Sequence, residues 1–313
     1  MNILILGLGN IGYRHLESLS KIKDKVNITI IEKIKSKTLK INKLILNNNI
    51  DIKVFNKIPS NQKYDLSIIC TNSDVRYSAV LNLIKLNKLQ FIILEKVVFD
   101  NKADYYKFQK LINDKNIHCF VNYPRNMMRC YKELKKEFIK DKVNKFVISG
   151  KNWGIMSNSL HFLNLISFMI NKNNLKIKDV NLHDRIYKSK RNGFHELKGS
   201  LSFAINDTKI FLEDSNIYNS NIITIDFSKT LIKISEAKKK IQYYNKINNK
   251  NNEKSFDFKF QSELTFEIYE AIKNKKKICL PTYDETYKFD IIIHELIDRL
   301  KKRNIIFRKF KFT

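Results

Sequence analysis

The strongest constraint on this chain is a turn near its start. Residues 3–6, Ile-Leu-Ile-Leu, are wholly apolar and pass directly into Gly7-Leu8-Gly9-Asn10-Ile11-Gly12. Ile11, Leu16 and Leu19 then recur on one helical face. A strand, a GxGxxG turn and a helix in immediate succession are the signature of a dinucleotide-binding fold. The glycines serve different ends. Gly7 makes the tight turn, Gly9 admits a pyrophosphate to the backbone, and Gly12 lets helix pack on strand. Asn10 and Ile11 open the helix whose free N–H groups and positive dipole end face the phosphates. Three of the chain's seven glycines stand in these six positions, which argues against an ordinary strand-to-helix turn.

The second apolar run ends at Glu32, about 20 residues past the last glycine. A carboxylate there accepts hydrogen bonds from the adenosine ribose and repels a 2′-phosphate, favouring NAD over NADP. Lys33 beside it offsets part of that repulsion and leaves NADP open.

Apolar runs at 3–6, 27–31, 52–55, 66–70, 91–94 and 118–121 alternate with amphipathic stretches at 11–22, 36–46, 75–87 and 102–115. Near-continuously apolar strands alternating with helices predict a parallel sheet covered on both faces, in a doubly wound α/β domain over residues 1–122. The rhythm then changes. A helix is predicted at 158–171, followed by strands at 177–187, 198–206, 208–213, 221–227, 230–236 and 239–244, a polar loop at 245–254, and helices at 260–274 and 284–301. Sequential strands joined by short polar turns predict a C-terminal α+β domain on a mainly antiparallel sheet over 123–313. Its final helix is placed to pack back on the first domain.

With 313 residues the chain exceeds one typical domain, and 43% hydrophobic content excludes a disordered protein. No apolar run approaches the ~18 residues of a membrane span, and residues 3–6 lack the basic flank and cleavage site of a signal peptide. A cytoplasmic protein with no membrane partner is expected. The four cysteines form no CxxC pair and no metal-ligand spacing with the six histidines, so no metal is expected. The net charge of +28 would ordinarily suggest nucleic acid. Here 50 of the 59 basic residues are Lys in a chain with five Ala, a joint skew towards A/T-rich codons. The excess is spread, with no polybasic arm, and no nucleic-acid partner is expected. Lys275, Lys276 and Lys277 read as a solvated helix end.

Ligands in open α/β sheets bind outside the carboxyl ends of the strands. Polar groups recur there: Thr71-Asn72-Ser73 after the fourth predicted strand, Glu95-Lys96 after the fifth, Asn122-Tyr123-Pro124-Arg125 after the sixth. Three such turns in register suggest a lined cleft.

These motifs, with Tyr13-Arg14-His15-Leu16 after the glycine turn, resemble the glucose–fructose oxidoreductase / inositol dehydrogenase / MocA family. The resemblance continues through Asn152-Trp153-Gly154, Asn158-Ser159-Leu160-His161 and Ser189-Lys190-Arg191-Asn192-Gly193 to Leu280-Pro281-Thr282. It implies an NAD(P)-dependent oxidoreductase acting on a CH–OH carbon of a sugar or nucleotide-linked sugar, and a homodimer or homotetramer. It also implies cofactor contacts from Gly7, Gly9, Asn10, Ile11, Gly12, Glu32, Thr71, Asn72 and Glu95. Lys96 matches the lysine of the family's Glu-Lys-Pro motif and His161 the histidine of its substrate helix. A lysine in a desolvated cleft stabilises a developing alkoxide, and a histidine exchanges the accompanying proton; the two are expected to flank one substrate carbon. Asn122, Tyr123, Arg125, Trp153, Asn158, Lys190 and Arg191 are the substrate-binding candidates, with Trp153 stacking on a sugar ring or packing in the core. Three departures stand out. Val97 replaces the motif's proline, and Ser157 and Asn164 stand where many members carry aspartate. They motivate the alternative of a catalytically inactive nucleotide-binding sensor or scaffold.

Overall fold

β1 (Asn2–Leu6) buries all four of its Ile and Leu side chains, because helices cover both faces of the sheet at whose centre it lies. The structure, a computed structural model, describes residues 1–44, 48–189 and 193–312. After β1 come α1 (Asn10–Leu19), β2 (Val26–Ile31), α2 (Lys35–Thr38), β3 (Ile50–Phe55), β4 (Lys63–Ile69), α3 (Ser73–Leu86), β5 (Lys88–Leu94), α4 (Lys102–Asp114) and β6 (His118–Val121). The strands pair in parallel in the order β3-β2-β1-β4-β5-β6. Chain direction across the sheet reverses between β1 and β4, the switch point at which such sheets open a crevice. The helix expected over 36–46 is curtailed: only α2 is α-helical, 39–43 form a 3-10 turn, and 45–47 lie outside the described residues. No residue of α2 is buried and no side chain caps its start, so little holds a longer helix there.

α5 (Arg129–Glu137) leads into β7 (Val143–Gly150), two elements absent from the sequence-based expectation. α6 (Ile155–Ile170), β8 (Leu175–Leu182) and a two-residue pair, β9 (Tyr187–Lys188) with β10 (His195–Glu196), follow. Then come β11 (Gly199–Ile205), β12 (Thr208–Asp214), β13 (Ile222–Phe227), β14 (Thr230–Ser235), β15 (Lys240–Asn245) and β16 (Asn251–Ser255). The eight-stranded sheet runs β16-β15-β14-β13-β7-β12-β11-β8. Every pairing is antiparallel except β12 with β7. Residues expected as the polar loop 245–254 instead supply β16. Its sequence, Asn-Asn-Glu-Lys-Ser, is exposed throughout, so backbone pairing to β15 makes it a strand, helped by cross-strand contacts of Glu253 with Lys240 and Gln242 and of Lys254 with the Tyr243 ring.

α7 (Gln261–Lys273) and α8 (Tyr283–Arg303) close the chain. Two units result: Met1–Met127 with Lys259–Tyr287, and Met128–Phe258 with Lys288–Thr313. The sequence predicts a single cut at residue 122, whereas Lys259–Tyr287 group with the first unit. α7 lies along α1: the Phe266 N–H donates to Ser18 Oγ (2.8 Å), and Asp24 accepts from the Tyr269 hydroxyl (2.7 Å) and Lys273 Nζ (2.6 Å). Among the described residues no helix is long and apolar enough to cross a membrane, and no group of three or more His, Cys, Asp or Glu is placed to hold a metal.

Candidate functional site

The β1–α1 turn is built on glycine for two different reasons. Gly7 sits at φ +94, and a Cβ there would press on the Cys70 and Thr71 backbone at 3.2 Å, so the fold itself requires glycine. Gly12 is equally confined, its Cβ position lying 2.1 Å from the Gly7 carbonyl oxygen. Gly9 differs. Its φ of −67 suits any residue, and a Cβ would meet nothing within 4 Å. The space in front of Gly9 is empty, and no side chain caps the start of α1.

That space belongs to a cleft of about 840 Å³ at the carboxyl ends of β1, β2 and β4. Gly7, Gly9, Glu32, Thr71 and Asn72 all line it, together with Lys33, Lys37 and Lys57. Glu32 is buried, and its carboxylate accepts from the Leu8 N–H (2.8 Å) and the Ile34 N–H (2.9 Å), with Lys37 Nζ at 3.7 Å. It therefore pins the glycine turn to the end of β2 and keeps lone pairs for a ribose hydroxyl. Thr71 Oγ1 is buried without a hydrogen-bond partner in the cleft wall. An open glycine face, a carboxylate at ribose distance along the chain and an unspent hydroxyl fit a dinucleotide. Asn10 and Ile11 begin α1 outside the cleft lining, Asn10 exposed and Ile11 half-buried.

Glu95 and Asn122 are drawn elsewhere, into a buried polar network. Glu95 Oε1 contacts His15 Nε2 (3.0 Å) and accepts from the Asn122 amide (2.5 Å). That amide also donates to Gln261 (2.9 Å), and His15 Nδ1 lies 2.8 Å from Thr265 Oγ1. Burial alone would raise the Glu95 carboxyl, but the hydrogen bond and charge of His15, the Asn122 amide and nearby Arg76 outweigh it and hold the group below its ordinary value. Arg76, which the sequence reading did not single out, is the organiser. Only 1% exposed, its guanidinium donates to the carbonyls of Thr71 (3.0 Å from Nε), Glu95 (2.6 Å), Val97 and Val98 (2.9 Å). The backbone on both sides of half-buried Lys96 is thus clamped by one cation to the Thr71 wall of the cleft. The Lys96–Val97 peptide is cis. Tyr123 is buried, and Arg125 is half-buried in a 3-10 turn, Pro124–Met127.

In the second unit, α6 carries Asn158 and His161, both half-buried. Two carboxylates from distant strands hold the turn that starts it. Asp214, buried at the end of β12, accepts from the Asn152 N–H (2.7 Å) and the Gly154 N–H (3.0 Å). Glu196 on β10 accepts from the N–H groups of Met156 (3.0 Å) and Ser157 (3.1 Å). A carboxylate therefore stands at the first turn of α6, supplied by Glu196 rather than by residue 157. Trp153 takes the core alternative: it is buried, packs edge-on against Phe162 at 5.4 Å, and donates from Nε1 to the Glu213 carbonyl (2.8 Å). The Asn158 amide donates to the Trp153 carbonyl. Lys190 and Arg191 lie outside the described residues.

Residues 1–123 match the sequence model of the Gfo/Idh/MocA oxidoreductase family, described as its NAD-binding Rossmann fold. The N-terminal domain belongs to that family. The Gfo/Idh/MocA assignment makes NAD the cofactor type of this domain, in agreement with the cleft at Gly9. Among curated proteins none matches the chain in sequence. Solved structures match it as a fold. UDP-N-acetylglucosamine 3-dehydrogenase from Acidithiobacillus ferrooxidans is 8% identical at a TM-score of 0.68, covering 95% of this chain and 96% of its own. An oxidoreductase from Agrobacterium radiobacter, solved with NAD+, L-tartaric acid and magnesium, is 11% identical at 0.67 and covers 94% of each chain. The transcriptional regulator Gal80p from Kluyveromyces lactis is 13% identical at 0.69, covering 97% of this chain and 93% of its own.

Proposed function

We propose that this protein is a cytoplasmic NAD-dependent oxidoreductase acting on a CH–OH carbon of a sugar or nucleotide-linked sugar, with a role in surface-polysaccharide biosynthesis, and that it works as a homodimer or homotetramer. The observation that carries the reading is Gly9: the fold does not need glycine there, whereas a ligand pressed against the backbone does. When bound, the nicotinamide accepts or donates the hydride. Lys96 donates a hydrogen bond to the substrate hydroxyl and stabilises its alkoxide character as hydride moves. His161 takes up or returns the accompanying proton. Arg125 and Asn158, both half-buried, supply polar contacts to the sugar. The likeness to a UDP-N-acetylglucosamine dehydrogenase supports the substrate class at the level of fold.

Lys96→Met tests the assignment, since it keeps side-chain bulk and removes charge and donor. Turnover on a panel of sugars and UDP-sugars is expected to fall roughly 100-fold or more, the scale of losing one such donor, with NADH affinity nearly intact. Unchanged turnover would remove Lys96 from the chemistry.

A second reading, a nucleotide-binding sensor without catalysis, draws on Ser157 and Asn164 in place of acids and on the Gal80p likeness. Turnover on that panel separates the two: the sensor binds NADH and turns nothing over.

A further inference from the structure

The first unit holds a second cavity, of about 860 Å³, on the side of its sheet away from the glycine turn. Met1, ahead of β1, and His118, the first residue of β6, line it, which places it at the amino ends of the strands. Its size falls in the range of small-molecule sites. One wall is aromatic: Phe91 and His118 stack at 5.2 Å and 24°, with Phe120 beside them on β6. Ile278 and Leu280 extend the apolar surface.

The rim carries the charge. Lys275, Lys276 and Lys277, read from the sequence as a solvated helix end, line this cavity just past α7. Among the described residues these three make no ion pair, whereas Lys273 is spent on Asp24. The acidic groups of the same wall are already engaged. Asp65 accepts from the Asn2 N–H (2.8 Å), and Glu285 accepts from the N–H and hydroxyl of Thr282 (2.7 and 3.0 Å). The cavity therefore offers a planar ring a stacking surface and offers its anionic tail three uncommitted cations. Gln90 adds an amide that can meet the edge of a base.

We propose that this cavity is a second nucleotide site, taking a nucleoside diphosphate whose base stacks on the Phe91–His118 face and whose phosphates meet lysines 275–277. The site is separate from the cofactor cleft and does not rest on the catalytic reading.

The test is calorimetric titration of UDP and GDP into the 313-residue chain saturated with NADH, so that the cofactor cleft is filled. Saturable binding is expected, weakening with added salt. Simultaneous Lys275→Glu, Lys276→Glu and Lys277→Glu should weaken it roughly tenfold or more, about 1.4 kcal/mol per decade. Lysine-to-arginine changes at the same positions should preserve it, and His118→Ala at the exposed edge of the stack should weaken it severalfold. NADH affinity should stay constant in all three variants. The proposal is overturned if neither nucleotide binds, if charge reversal leaves binding unchanged, or if inorganic pyrophosphate binds as tightly as UDP and GDP. Loss of NADH affinity in parallel with nucleotide affinity would overturn it as well, since the effect would then lie in the cofactor cleft or in the fold.

Discussion

Two strand–turn–helix junctions in this molecule solve the same problem in opposite ways. Both β1–α1 and β7–α6 end a sheet strand in a glycine-containing turn and start a helix whose first N–H groups need partners. At β7–α6 the protein supplies its own anions: Asp214 takes the N–H groups of residues 152 and 154, and Glu196 takes those of residues 156 and 157. At β1–α1, Glu32 takes only the Leu8 N–H, no side chain caps α1, and the space at Gly9 stays empty. A filled helix start makes a rigid platform for α6. An unfilled one leaves a seat for an external phosphate.

The largest expected stability effect is at the filled junction. Asp214→Ala removes the buried carboxylate that accepts from the Asn152 and half-buried Gly154 N–H groups and should lower unfolding free energy by about 2 kcal/mol, read from urea midpoints, with NADH affinity unchanged. A loss below about 0.5 kcal/mol, the scale of a surface change, would show that the turn does not depend on its internal anion.

A smaller, pH-dependent effect concerns the network behind the empty junction. The Glu95 carboxyl is held below its ordinary 4.5, so its ionised form stabilises the fold at pH values above that figure. This stabilisation is lost as pH falls from about 4.5 through the lower folded-state value. Glu95→Gln should therefore be less stable than the parent near neutrality, and the gap should narrow on acidification. Urea unfolding at several pH values checks the sign: a gap constant with pH would mean that Glu95 carries no depressed titration.

The smallest effect is expected at Glu32. Lys37 at 3.7 Å and Lys33 on the cleft wall already offset part of its repulsion of a 2′-phosphate. Glu32→Ser should move the NADPH-to-NADH affinity ratio towards NADPH by about tenfold, near 1.4 kcal/mol. An unmoved ratio would place the ribose away from Glu32.

The empty junction was readable in the sequence because it is local. Apolar runs declare β1 to β6, and three glycines within six residues declare the turn. The filled junction was not readable, since Glu196 and Asp214 reach it from 39 to 62 residues away along the chain. Nothing in their own surroundings marks them as caps. Arg76 was hidden for the same reason: its partners are backbone carbonyls, which carry no sequence signal. β16 escaped notice because an edge strand exposed on both sides has no apolar alternation to betray it.

The central claim is that the space in front of Gly9 is kept for the cofactor. Gly9→Val tests it most directly, because the backbone there tolerates valine and the side chain would enter only empty space. NADH titration should show affinity reduced about 100-fold or more, near 2.7 kcal/mol, with the urea midpoint within about 0.5 kcal/mol of the parent. Retained NADH affinity in a folded Gly9→Val protein would contradict the account.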